Sequence, residues 1–318
     1  MKITVLDGAT LGNDLLPVLP KFFNEFGELE VHLTTAPEKV ADRISDTDII
    51  IVNKIKLNES NLSNAKNLKL ICVCATGYDN IDTTYCTARG IAVCNVVGYS
   101  THSVAQLTVL MALTLINKLP DYTDYVNSGE YTNSGVANRL IPVYHEICGK
   151  TWGIVGLGNI GKQVARVAEA LGCRVIVNKR TPDENFECVD IDTLCKTADI
   201  ISVHTPLTNQ TANLISKERI AMMKDGVIFI NVARGAVADE AALCDAVLQG
   251  KIGGLGIDVY TTEPIPANHP YNKILGKSNV CLTPHNAWEA YEARLRCIEI
   301  IKENIIDFLN NGRKNRVN

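Results

Sequence analysis

The chain has 318 residues, 46% of them apolar and 21% charged, and a formal charge of -4. That length allows two domains, each burying its own core, and the balance is that of a soluble globular protein with no basic footprint for nucleic acid or an anionic membrane. No run approaches the roughly 18 apolar residues a bilayer requires, and MKITVLDGATLGNDLL lacks the apolar core and cleavage site of a secretory signal, so a cytoplasmic location is expected.

In chain order, KITVLDG, LEVHLTT, DIIIVNK, LKLICVCA and IAVCNV read as short β-rich runs. Between them lie the helix-compatible stretches NDLLPVLPKFFNEFG, PEKVADRIS, NLSNAKN and TTYCTARG. Continuous apolar strands alternating with helices predict a parallel sheet covered on both faces, a doubly wound α/β unit. From Ser100 the pattern becomes a long apolar helix, STHSVAQLTVLMALTLINKL, which Pro120 is expected to close. A polar, tyrosine-bearing stretch over 121–148 follows. A second series comes next: TWGIVGL, CRVIVN, ADIISVHT, GVIFINVA, IGGLGIDV and NVCLTP, the strand set of a full dinucleotide-binding sheet. EAYEARLRCIEIIKENIIDFLNN closes the chain as an amphipathic helix.

Eleven cysteines are scattered through apolar runs and read as reduced core residues. Cys72 and Cys74 form a close pair, but no other Cys or His lies near them at ligand spacing. No metal is expected.

Gly156, Gly158 and Gly161 form G-x-G-x-x-G between a strand and a helix. The first allows a sharp turn, the second lets the backbone approach a pyrophosphate, and the third lets helix and strand pack closely. Inside a strand–turn–helix–strand unit this predicts dinucleotide binding. The second strand ends in Asn178, Lys179 and Arg180, where an acidic residue would accept hydrogen bonds from an NAD ribose. A carboxylate there would repel a 2′-phosphate by roughly 4 kcal/mol per charge pair before screening. Its absence, with two cations in its place, favours NADP(H) or dual use over strict NAD(H).

FINVARGAV, GIDVYTTEP and CLTPHNAW place Arg234, then Asp258 and Glu263, then His285 just after apolar runs. Open α/β sheets keep their ligand sites at those carboxyl ends. His285 can exchange a proton near neutral pH, a neighbouring Glu263 would favour its imidazolium, and Arg234 offers a planar fork for a carboxylate.

With these residues in view, the chain resembles the D-isomer-specific 2-hydroxyacid dehydrogenases, the glycerate dehydrogenase and hydroxypyruvate reductase branch in particular, over essentially its whole length. The matching stretches are ATGYDNID, HSVAQLT, EICGKTWGIVGLGNIGK, DIISVHTPLTNQT, FINVARGAV, GIDVYTTEP and TPHNAWEAYEAR. The resemblance implies a flavodoxin-like substrate domain over 1–99 and 289–318, and a Rossmann dinucleotide-binding domain over 100–288. It implies catalytic roles for Arg234, Glu263 and His285, with Asp258 holding the nicotinamide amide. Cofactor contacts would come from Thr76, Asn159, Ile160, Thr205, Pro206, Val232, Ala233, Asn286 and Ala287. Thr76, Gly77, Tyr78 and Trp288 would lie at the substrate.

The implied activity is hydride transfer between NAD or NADP and a small 2-oxo acid, with D stereochemistry and glyoxylate or hydroxypyruvate as leading substrates. Stretch 121–148 would be the arm of a homodimer, and a structural role is expected for His102 and His204. Lys179 departs from the Asp of NAD-using members, Gln106 from the Glu usual in SVAE, and Tyr131 from a tryptophan. The alternative is a dinucleotide-sensing protein similar to the corepressors that resemble these enzymes, with little turnover.

Overall fold

A computed structural model describes residues 1–318, which divide into two compact units, Met1–Ser100 with Glu289–Asn318, and Thr101–Trp288. In the first unit β1 (Lys2–Val5), β2 (Glu28–Val31), β3 (Ile49–Val52), β4 (Leu70–Val73) and β5 (Ala92–Cys94) form a parallel sheet in the order β2-β1-β3-β4-β5. β3 and β4 are buried along their whole length, which is why IIIV and LICV read as unbroken apolar runs. The helices are shorter than the pattern suggests: α1 (Leu19–Phe23), α2 (Val40–Arg43), α3 (Glu59–Leu62) and α4 (Thr83–Ala88). Pro17 and Pro20 split the first helical stretch into a 3-10 turn and a short helix, because neither can donate to the preceding turn.

The second unit opens with α5 (Thr101–Ile116), α6 (Leu119–Asn127) and α7 (Glu130–Ser134). Pro120 does not close α5. The chain breaks at Lys118, whose φ is +53°, and Pro120 occupies the first turn of α6, where its missing N–H costs nothing. No single helix is long and apolar enough to cross a membrane. α5 buries Val104, Ala105, Thr108, Met111, Ala112 and Leu115.

The rest alternates: β6 (Thr151–Val155), α8 (Asn159–Ala170), β7 (Arg174–Asn178), β8 (Glu187–Cys188), α9 (Ile191–Thr197), β9 (Ile200–Val203), α10 (Lys217–Met222), β10 (Val227–Asn231), α11 (Glu240–Leu248), β11 (Ile252–Ile257) and β12 (Val280–Leu282). The sheet has seven parallel strands in the order β12-β11-β10-β9-β6-β7-β8, so its strand order reverses between β6 and β9. The sequence reading missed β8, a two-residue edge strand too short to carry a period. A Cβ on Gly254 or Gly256 of β11 would come within 3.0 Å of Leu115 or Met111, so these glycines let α5 lie close on the sheet. The chain then returns to the first unit with α12 (Tyr291–Leu309), which buries Ala293, Cys297, Ile298, Ile301 and Ile305. All eleven cysteines are free thiols.

Candidate active site

Strand register in the second unit sets one working edge. Asn178 pairs with Val155, Val155 with Val203, Val203 with Asn231, Asn231 with Ile257 and Ile257 with Leu282. The strands therefore end level, and the segments carrying Lys179, Gly156, Thr205, Arg234, Asp258 and His285 all leave from the same carboxyl edge. The reversal between β6 and β9 puts the glycine turn beside the Thr205 segment, at the topological switch point where such sheets bind ligands.

The turn fits a dinucleotide pyrophosphate. Gly156 has φ +94°, and a Cβ on it would sit 2.7 Å from the Thr205 amide nitrogen. A Cβ on Gly161 would strike the Gly156 carbonyl. At Gly158, by contrast, a Cβ would meet nothing within 4 Å, and this residue caps α8 with no side-chain hydrogen bond to the first turn. The uncapped amides at Asn159 and Ile160 therefore begin a twelve-residue helix whose dipole favours an anion.

Past β7 the charges are arranged differently from the sequence expectation. Asn178 donates its side-chain amide to the Val189 carbonyl at 3.0 Å. The ammonium groups of Lys179 and Lys162 both lie 3.3 Å from Asp183 Oδ2. Hydrogen bonds from the backbone and side chain of Asn185, with the two lysines, hold Asp183 down at about 2. A carboxylate thus does stand near this strand end, shared between two lysines, while Arg180 is exposed.

His285 Nδ1 lies 2.7 Å from Glu263 Oε2, and the Tyr260 amide donates to Glu263 Oε1 at 3.0 Å. Asp258, buried just beyond β11, accepts from the Thr283 hydroxyl (2.5 Å) and the amides of Asn286 (3.0 Å) and Ala287 (3.1 Å). Burial pushes its pKa up while these bonds pull the other way. Both its oxygens thereby brace the His285 loop. Trp288, 8% exposed, donates its indole N–H to the His285 carbonyl at 2.9 Å. The Arg234 segment is held by Asn231, whose side chain accepts from Ala233 N–H (3.0 Å) and donates to the Arg234 carbonyl (2.9 Å). Val232 is buried and Ala233 half-buried in the same turn. Gly235 packs on Tyr260 and Thr261, where any Cβ would collide with backbone. The Tyr260 hydroxyl donates to the Thr283 carbonyl at 2.9 Å. Hydrogen bonds thus tie the 258–263 and 283–288 loops together, Gly235 packs the Arg234 loop against the first of them, and the Arg234 guanidinium donates to the Ala233 carbonyl at 2.8 Å.

A family model described as D-isomer specific 2-hydroxyacid dehydrogenase, NAD binding domain, matches residues 109–287. The hydroxypyruvate reductase of Blautia hydrogenotrophica is 35% identical over 327 residues, covering 100% of both chains. The chain belongs to the D-isomer-specific 2-hydroxyacid dehydrogenases. Among solved structures similar to this 2-hydroxyacid dehydrogenase is the D-lactate dehydrogenase of Aquifex aeolicus complexed with NAD and lactic acid. It has a TM-score of 0.86 and 31% identity, covering 100% of this chain and 99% of that one. Another is an acyclic imino acid reductase in complex with NADPH and D-Arg, with a TM-score of 0.87 and 31% identity over 100% of both chains.

Thr76, Gly77 and Tyr78 of this dehydrogenase lie in the first unit, beyond β4; the Thr76 hydroxyl donates to the Val96 carbonyl at 2.8 Å. Pro206 is exposed beside Thr205, and His102 is exposed at the start of α5. His204 Nε2 lies 2.9 Å from the Ser202 hydroxyl, which accepts the Trp152 indole N–H at 2.9 Å. Sequence reasoning missed Asn231, Glu240 and His269. Each is a polar residue whose partner is known only after folding, and none carries a local spacing signal.

Proposed function

We propose that this chain works as a D-specific 2-oxo-acid reductase, with glyoxylate or hydroxypyruvate as its leading substrates. The observation that carries the reading is the 2.7 Å His285–Glu263 pair on the strand edge that also bears the glycine turn. Gly156, Gly158, Asn159, Ile160 and Gly161 would hold the pyrophosphate, and Thr205, Val232, Ala233 and Asn286 the rest of the dinucleotide. When bound, the nicotinamide supplies the hydride for the carbonyl carbon, or receives one in the oxidative direction.

Glu263 on Nδ1 fixes the ring, so that Nε2 gives its proton to the carbonyl oxygen as negative charge develops there. The Arg234 guanidinium pairs with the substrate carboxylate and stabilises that oxygen. In the reverse direction neutral His285 removes the hydroxyl proton. Names of relatives support the substrate class: hydroxypyruvate reductase in Blautia hydrogenotrophica and D-lactate dehydrogenase in Aquifex aeolicus.

We infer dual cofactor use. No carboxylate occupies positions 178 to 180, and Lys162 and Lys179 are available to a 2′-phosphate once they release Asp183, which offsets part of their charge. Rates for a panel of 2-oxo acids with NADH and NADPH test both readings. Turnover with both cofactors is expected, and Asp183→Asn should lower the KM for NADPH relative to NADH. Tight dinucleotide binding with negligible turnover on every acid would favour the sensor alternative instead.

A homodimer is proposed from the arm beyond α7, where Val136, Leu140, Ile141 and Val143 are 57%, 77%, 65% and 66% exposed. Sedimentation showing a monomer at micromolar concentration would count against it.

A further inference from the structure

Beneath the His285–Glu263 pair lies a second histidine–glutamate pair that the mechanism above does not use. His269 Nε2 is 3.0 Å from Glu240 Oε2, with the two side chains only 4% and 12% exposed. The Tyr271 amide donates to His269 Nδ1 at 3.2 Å, so the ring proton sits on Nε2 and points at the carboxylate. The other oxygen of that carboxylate, Glu240 Oε1, accepts the Thr261 amide at 2.9 Å. One residue earlier, the Tyr260 amide donates to Glu263 Oε1. Two carboxylates therefore grip consecutive amides of one turn, the partly exposed one facing His285 and the shielded one facing His269. Around the shielded pair, the Tyr260 ring lies 6.0 Å from the His269 ring and 6.2 Å from that of Tyr271. Burial pushes the Tyr260 phenol up to about 12, which keeps it a donor to the Thr283 carbonyl.

From this geometry we propose that Glu240 and His269 are positioning residues for proton transfer: they lock the 260–263 turn, and with it the orientation of the Glu263 carboxylate toward His285. The proposal rests on the reading of His285 as proton donor. A neutral donor alone would satisfy Glu240 poorly; His269 Nε2–H and the Thr261 amide together give it the two hydrogen bonds that make a shielded carboxylate tolerable. Removing Glu240 leaves Thr261 N–H and His269 Nε2–H without their acceptor, so the turn loosens and Glu263 no longer holds its place. The ionisable groups facing this network are Asp258 just beyond β11, Glu263 and Tyr260 from the turn, Asp239 and Glu240 from the start of α11 with Cys244 one turn along it, and His269 and Tyr271 from the following loop.

The test is kcat and KM, measured separately, for 2-oxo-acid reduction in Glu240→Ala and His269→Ala, with Glu240→Gln and His269→Gln as milder replacements should the alanine variants fail to fold. In the alanine variants, kcat should fall by about tenfold or more while KM for the 2-oxo acid changes by less than about twofold, because Glu263 no longer orients the His285 ring. Dinucleotide Kd should change by less than about twofold, since the glycine turn is untouched. Glu240→Ala placed in a Glu263→Gln background should add little, the two changes acting through one contact. Glu240→Gln and His269→Gln should show the same change to a smaller degree. An unchanged kcat, a loss confined to KM, or effects that multiply in the double variant would overturn the proposal. Near-full turnover in His285→Ala would instead reject the proton-donor reading on which it rests, so the two failures are told apart.

Discussion

At His285 the backbone sits at φ +55°, a left-handed conformation costing a residue with a Cβ roughly 1 kcal/mol. Asp258, through Thr283, Asn286 and Ala287, and the Trp288 indole hold the loop there. A different histidine makes a pH prediction. Burial depresses the His204 pKa to about 3, and its Nδ1 is buried without a hydrogen-bond partner. Because the folded pKa lies below the unfolded value of about 6.5, neutral His204 contributes stability that is present above that value and is lost as pH falls toward 3. Going from pH 7.5 to 5.0 should cost about 2 kcal/mol through this residue. Urea unfolding at both pH values should show this loss in the wild type and a smaller one in His204→Gln; equal losses would contradict it. At this scale Arg234, Asp258 and His285 stand out in the sequence because each comes within three residues of an apolar strand, and Glu263 because it shares the loop that opens at Asp258. Glu240 and His269 were not, since a buried polar pair separated by 29 residues leaves no mark on either stretch.

The glycine turn and α8 behave as one element with two kinds of glycine. Gly158 has φ -79° and open space where a Cβ would go, whereas Gly161 faces the Gly156 carbonyl. Gly158→Ala should therefore fold with stability within about 1 kcal/mol of wild type, yet bind dinucleotide on the order of tenfold or more weakly, because the methyl takes the space of the pyrophosphate. Gly161→Ala should lower the melting temperature as well. Calorimetry and fluorescence titration distinguish the two, and a Gly158→Ala protein with unchanged Kd would refute the cradle. Most strands could be read from sequence because parallel strands buried on both faces give continuous apolar runs. β8 could not, and the α5–α6 break was misplaced because proline marks a helix start as readily as an end.

Across the whole chain, both sheets are parallel and their topology follows from the alternating pattern, whereas cofactor preference depends on a contact the pattern hides. Lys179 and Arg180 alone suggested an open cationic site, but Asp183 folds back onto Lys162 and Lys179. Charge at a strand end is thus set by the loop that follows as much as by the strand. Hydride transfer to a 2-oxo acid with His285 as the proton donor is tested most directly by the initial rate of glyoxylate and hydroxypyruvate reduction, with saturating NADH or NADPH near neutral pH, for wild type and His285→Ala. The expected result is turnover by the wild type and a fall of roughly 10² to 10⁴ in the variant with dinucleotide binding retained; near-full turnover in His285→Ala would contradict it.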